Sequence, residues 1–153
     1  MKDKICCFDG SVKSYDNEKR AKIREIILNL IQNDGIRKFC FMRKSPIEGV
    51  AMPMLKELRQ IYPDIELGLV FPNIGKELEL LKETIFTDYD FFLSDTISRQ
   101  TPEGWEIKSW GRYMVDCSSH MICCIDSKTG KSADTLSYAK GRGDIKIFNI
   151  LGK

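Results

Sequence analysis

Two periodicities alternate along the chain. Short apolar runs at Lys4–Phe8, Lys38–Met42, Glu66–Phe71, Tyr89–Leu93 and Met121–Ile125 have the length of strands buried on both faces. Between them, apolar residues recur at helical spacing. Ile23, Ile26, Ile27, Leu30 and Ile31 mark one buried stripe, and Met54, Leu55, Leu58, Ile61 and Tyr62 mark another. Ile74, Leu78, Leu81 and Ile85 mark a third, within a helix expected over Asn73–Ile85. Asp16 or Asn17 can cap the first helix and Gly35 can end it. Pro53 is expected in the first turn of the second helix, after a loop over Arg43–Glu48. Asp144–Ile150 alternates apolar and polar residues, as a sheet edge does, and Ser94–Trp105 is the least regular stretch.

Strand and helix in strict alternation predict one α/β domain over residues 1–153, with a mainly parallel sheet of about six strands and helices on both faces. The expected order places the strand near residue 90 at one edge. The third, second and first strands follow, then the strands near 120 and near 147. The order reverses between the first strand and Met121–Ile125. The loops Asp9–Ser14 and Ser127–Ser132 then open on the carboxyl side of that switch point, where such sheets bind ligands.

Composition narrows the function classes. A length of 153 residues suits one core. With 24 basic and 22 acidic residues the net charge is +2, so nucleic acid is not expected as the main partner. No apolar run approaches the roughly 18 residues of a membrane span, and Ile5–Phe8 is too short for a signal-peptide core, so no membrane association and a cytoplasmic location are expected. Of the six cysteines, four form the adjacent pairs Cys6-Cys7 and Cys123-Cys124. Neighbours in a strand point to opposite faces, so the thiols read as small core residues, with no metal site and no cofactor implied.

The stretch Trp110–Lys140 carries the candidate chemistry. Gly130-Lys131-Ser132 ends like a phosphate loop, but Ile125 stands where the full motif needs a glycine. Ser132, Asp134 and Thr135 suit either an anion or plain capping of a helix start. Arg112 and Asp116 are four apart on a helix and can pair with each other. His120, the single histidine, has no nucleophile or acid at a useful spacing and reads as structural. Trp105 and Trp110 flank a helix start and read as packing residues, with stacking on a base or a partner as the alternative. Lys140-Gly-Arg-Gly143 is a basic helix end.

The run Arg112-Tyr-Met-Val-Asp116 precedes an apolar strand ending in Asp126, a small-residue loop ending in Thr135, and Tyr138-Ala-Lys140. Together with Phe8-x-Gly10 and Tyr62-Pro-Asp-Ile-Glu-Leu67, this resembles the YpsA-like branch of the SLOG superfamily, Rossmann-like domains related to LOG and DprA proteins. The resemblance covers nearly the whole chain. It implies a Rossmann-like domain with a pocket for a nucleotide or nucleotide-derived ligand, formed by Gly10, Ser11, Glu48, Arg112, Asp116, Gly130, Lys131, Ser132, Asp134 and Thr135.

The chain departs from the family at each loop. Gly130-Lys-Ser-Ala-Asp-Thr135 replaces a G-G-T-G-N-T loop, Met42–Glu48 replaces a G-x-A-x-G-x-D signature, and Phe8-Asp-Gly-Ser-Val12 lacks the histidine and arginine of F-T-G-H-R. Asp9 and Asp134 put negative charge where an anion would sit, and Lys44 and Lys131 offset it in part. Tyr138 stands where LOG enzymes have a glutamate.

The expectation is therefore a non-catalytic binding or sensor protein for a nucleotide-like small molecule. Two alternatives stay open. One is an interaction scaffold, self-associating or bound to a protein partner, that has lost the pocket; the missing glycines and Pro46 point that way. The other is a nucleotide or N-glycosidic-bond hydrolase using Glu48 or Asp134.

Overall fold

Among the described residues the apolar runs become strands and the amphipathic stretches become helices. A computed structural model describes residues 4–42, 45–70, 89–93 and 106–151, with backbone alone for 106–110. The expected helix at Asn73–Ile85, the irregular stretch Ser94–Trp105, the side chain of Trp110 and Lys44 lie outside the described residues. The described elements are β1 (Ile5–Gly10), α1 (Asn17–Asp34), β2 (Lys38–Met42), α2 (Pro46–Leu58), β3 (Glu66–Val70), β4 (Phe91–Leu93), α3 (Glu106–Asp116), β5 (His120–Cys124), α4 (Lys131–Arg142) and β6 (Lys146–Asn149).

The six strands form one sheet in the order β4-β3-β2-β1-β5-β6, as the pattern predicts. Every described pair is parallel. The domain is an α/β sandwich of three layers. Cys6, Phe8, Phe39, Phe41, Leu67, Ile122 and Cys124 pack under α1 and α2. Cys7, Cys40, Val70, Met121 and Cys123 pack under α3 and α4. Each adjacent cysteine pair is thus split between the two faces, and none of the six cysteines is in a disulfide. Burial pushes the Cys7 and Cys123 thiols up to about 12, which keeps them protonated and unreactive. Among the described residues no helix is long and apolar enough to cross a membrane.

α1 is capped as expected. The Asp16 carboxylate accepts from the Lys19 N–H at 2.9 Å, and Gly35 ends the helix in the left-handed conformation at φ 69°. Several boundaries differ from the sequence pattern. α2 starts at Pro46 rather than near Pro53, with Ser45 at the cap position, and ends at Leu58, so Ile61, expected on its buried stripe, lies beyond the helix and is 69% exposed. Pro46 takes the first-turn place where a missing N–H costs nothing. Pro53 is carried in mid-helix on the exposed side, opposite the buried Ile47, Val50, Ala51, Leu55 and Leu58. β1 runs two residues beyond the apolar stretch, so Asp9 and Gly10 are strand residues, paired with Cys123 and Cys124 of β5. That extension carries a carboxylate into the sheet at the switch point.

Candidate functional site

At the carboxyl ends of β1 and β5 the chain is stitched together by its own donors. The Ser11 and Val12 N–H groups donate to the Cys124 carbonyl at 3.0 and 3.4 Å. The Ser11 hydroxyl donates to the Asp126 carboxylate at 2.8 Å and accepts from the Asp126 N–H at 3.0 Å. A Cβ on Gly10 would lie 2.7 Å from the Tyr15 hydroxyl and 3.2 Å from the Cys124 carbonyl oxygen, so only glycine lets the three approach this closely. The Tyr15 hydroxyl is itself buried without a hydrogen-bond partner among the described residues.

Asp9 is 8% exposed and sits between these loops. Its Oδ1 accepts from the Ser132 hydroxyl and from the Gly10 N–H, each at 2.8 Å. Desolvation raises its pKa above the usual carboxylate value, against the opposing pull of hydrogen bonds from Ser132 and Gly10. The sequence reading placed Asp9 as a charge that repels an anion. In the structure the Asp9 carboxylate itself takes the donors an anion would use.

This burial has a pH signature. An acid whose folded pKa is raised binds its proton more tightly folded than unfolded, so its contribution to stability falls as the pH climbs from the ordinary carboxylate value through the raised one. Asp9→Asn keeps an acceptor for Ser132 and Gly10 and removes the buried charge. Its melting temperature is expected to exceed that of the parent at pH 7, with the gap closing as the pH falls toward 4. Differential scanning calorimetry across that range checks both the sign and the closure.

The start of α4 lacks the capping that its sequence offers. Gly130, which has no side chain to offer, occupies the cap position at φ 102°, and among the described residues no side-chain cap hydrogen bond closes this helix start. Ser132 has turned to Asp9. The Thr135 hydroxyl, 2% exposed, donates back to the Lys131 carbonyl at 3.0 Å. Thr135 also packs on α3, where a Cβ on Gly111 would fall 2.2 Å from Thr135 Oγ1. Both hydroxyls assigned to phosphate are engaged inside the protein. Beside the uncapped turn opens a concavity of about 350 Å³ lined by Lys128, Thr129, Gly130, Ala133, Asp134 and Ser137. Lys131, at the head of the helix, is exposed.

Arg112 and Asp116 do not pair with each other. Arg112 reaches across to α4 and forks onto Asp134, with Nη2–Oδ1 at 3.1 Å and Nε–Oδ2 at 3.3 Å, while its guanidinium lies 5.1 Å from the centre of the Tyr138 ring. Asp116 accepts from the Tyr138 hydroxyl at 2.7 Å and pairs with Arg142, which also grips Asp144 at 3.0 Å. The aromatic at 138 is therefore a rung in a polar ladder joining α3 to α4. Helical spacing reads neighbours on one helix; a stronger fork across two helices replaces the four-apart pair.

Glu48 is drawn away from this group. Its carboxylate accepts from the Tyr89 hydroxyl ahead of edge strand β4, on the opposite side of β1 from β5. The structure thus brings together Gly10, Ser11, Ser132 and Thr135 around Asp9, puts Gly130 and Asp134 on the concavity, and leaves Arg112, Asp116 and Glu48 in structural pairs. His120 lies at the amino end of β5, the far end of the sheet from Gly130. Among the described residues no group of three histidine, cysteine or acidic side chains is placed to hold a metal ion. Tyr15, and the pairing of Asp126 with Ser11, carry no signal in the sequence. Ser11 is 115 positions away from Asp126, and Tyr15 makes a close approach to Gly10 that no local spacing encodes. Comparison with protein-family models and with curated proteins finds no match to this chain.

Proposed function

We propose that the switch-point pocket of this chain is a non-catalytic binding site for a nucleotide or nucleotide-derived anion, as the resemblance to the YpsA-like proteins implies. The observation that carries the reading is the uncapped start of α4. A helix of 12 residues presents first-turn amides without a side-chain cap, next to a polar concavity of about 350 Å³, at the carboxyl side of the switch-point strand. The ligand is read by backbone N–H groups of Lys131, Ser132 and Ala133 and by the ammonium of Lys128. Arg112 neutralises Asp134 on the same rim. Thr135 and Ser132 act as supports, not as phosphate ligands, which revises the role expected of them.

A specific observation favours the second reading, a scaffold without a ligand. Asp9 takes the Ser132 hydroxyl and the Gly10 N–H that an anion at the crevice would need. The hydrolase reading is weakened as well, because Glu48 and Asp134, either of which would serve as its acid or base, are each held in a pair.

A thermal-shift panel of nucleoside phosphates, NAD and ADP-ribose separates the two readings. A ligand at about 100 times its dissociation constant adds roughly 2.7 kcal/mol, a rise of about 5–10 °C for a domain of this size. Ala133→Glu places a carboxylate on the first-turn amides. It is expected to raise the melting temperature of the ligand-free protein by about 1–4 °C and to remove the ligand-induced shift. Silence across the panel, with the Ala133→Glu variant behaving as the parent, sinks the ligand reading in favour of the scaffold.

A further inference from the structure

At the opposite end of the sheet, three side chains outside the candidate pocket form a continuous hydrogen-bonded line. Asp34 closes α1, His120 opens β5, and Ser119 directly precedes it. His120 Nε2 stands 3.1 Å from Asp34 Oδ2, and His120 Nδ1 stands 2.7 Å from the Ser119 hydroxyl. His120 is 8% exposed, so both ring nitrogens depend on these partners. A neutral imidazole donates through one nitrogen and accepts through the other. The Asp34 carboxylate can only accept, which puts the ring proton on Nε2 and leaves Nδ1 as the acceptor. The Ser119 hydroxyl proton then points to Nδ1. Its other acceptor, the Ile5 carbonyl, is farther away at 3.4 Å.

Hydroxyl, imidazole and carboxylate in this order are the working parts of nucleophilic acyl transfer, recognised by geometry rather than by chain order. Two cations stand beside the line. The Lys146 ammonium lies 3.9 Å from Asp34 Oδ2, and the Lys4 ammonium donates to the Asp34 carbonyl at 3.3 Å. Lys4 directly precedes Ile5, whose carbonyl accepts the Ser119 N–H at 2.9 Å. It also lines a concavity of about 250 Å³ with Gly35, Arg37 and Lys38.

We propose that Ser119, His120 and Asp34 form a hydrolytic site for small acyl esters that carry a negative charge. Ser119 Oγ attacks the ester carbonyl while its proton passes to His120 Nδ1. The alcohol leaves with that proton, and the Ser119 acyl ester remains. Water, deprotonated by the same nitrogen, then releases the carboxylic acid and restores the hydroxyl. Asp34 orients the ring and stabilises the imidazolium formed in each half. The flanking lysines attract the anionic ester and offset the charge growing on its carbonyl oxygen.

The test uses the full chain and a fluorophosphonate probe, with the adduct mapped by peptide mass spectrometry. Ser119 is expected to carry the adduct. Ser119→Ala, which removes only a hydroxyl, should abolish it, and His120→Gln should slow labelling by about 100-fold. Asp34→Asn, retaining the size of the side chain, should slow it as well. Burial lowers the His120 pKa from its ordinary value, against the pull of Asp34 and with the help of Lys146 and Lys4, so the labelling rate should rise with pH through an inflection below 6.5. A serine held only for structure would show no such profile. p-Nitrophenyl hydrogen succinate should be hydrolysed faster than p-nitrophenyl acetate. Absence of an adduct on Ser119, labelling unchanged in His120→Gln, or labelling without ester turnover overturns the proposal.

Discussion

Phe8→Ala is expected to cost about 3–5 kcal/mol, a large part of the stability of a domain this size. Phe8 is fully buried in β1, with β2 on one side and β5 on the other. Its ring stacks on Phe41 at 4.8 Å between centroids and leans on Phe39 at 6.1 Å. Removing it opens a cavity at the midpoint of the sheet, bordered on both sides by strands that cannot collapse into it without breaking their ladders. A fall in melting temperature of about 10 °C or more should follow. Ile61→Ala is the control. Ile61 is apolar but 69% exposed, and a surface substitution of this kind changes stability by less than about 0.5 kcal/mol. Urea unfolding of both variants, at equal slope, gives the two free energies directly. Comparable losses would mean that the core is not where the structure puts it.

Gly111→Ala is expected to cost about 2–3 kcal/mol, through crowding rather than a cavity. The new methyl would lie 2.2 Å from Thr135 Oγ1, and that hydroxyl is held by the Lys131 carbonyl. The loss belongs to a pair. In a Thr135→Ala background the obstructing oxygen is gone, and the remaining contact to the Thr135 Cβ is an ordinary 3.4 Å. Gly111→Ala should then cost little. A double-mutant cycle by chemical denaturation should therefore show a coupling of about 2 kcal/mol. Additive losses would show that α3 and α4 are not interlocked at this point.

These two residues mark what was legible in the sequence. Phe8 belongs to an apolar run whose burial and place in the sheet follow from pattern alone, because burial on both faces demands a continuous apolar strand. Asp16 and Gly35 were legible for a similar reason, since a cap satisfies its own helix from a fixed distance along the chain. Gly111 carries no such signal. Its requirement is set by Thr135 on another helix. The same holds for Ser132, which spacing assigns to capping or to phosphate and which bonds Asp9 across 123 positions. Arg112 illustrates the competition between near and far partners. Asp116 is available one turn away, yet Asp134 offers both carboxylate oxygens and Tyr138 a ring face. Pro53 misled for a different reason. Two prolines seven apart each fit a first turn, and only the packing of Ile47 and Val50 decides for Pro46.

The parallel sheet also sets the order in which the molecule can come into being. No two neighbouring strands can be joined by a hairpin, so each pairing waits for a crossover to close. The unit β1-α1-β2-α2-β3 has its pairings within the first half of the chain. The β1–β5 seam, by contrast, joins Cys6 to His120 and Gly10 to Cys124. Both hydrogen-bonded clusters, Asp9 with Ser132 at one end and Ser119-His120-Asp34 at the other, straddle that seam. A nascent chain can assemble half of the sheet before either cluster exists. Each appears only on completion of the final docking step, so a chain caught partway carries a core but neither site.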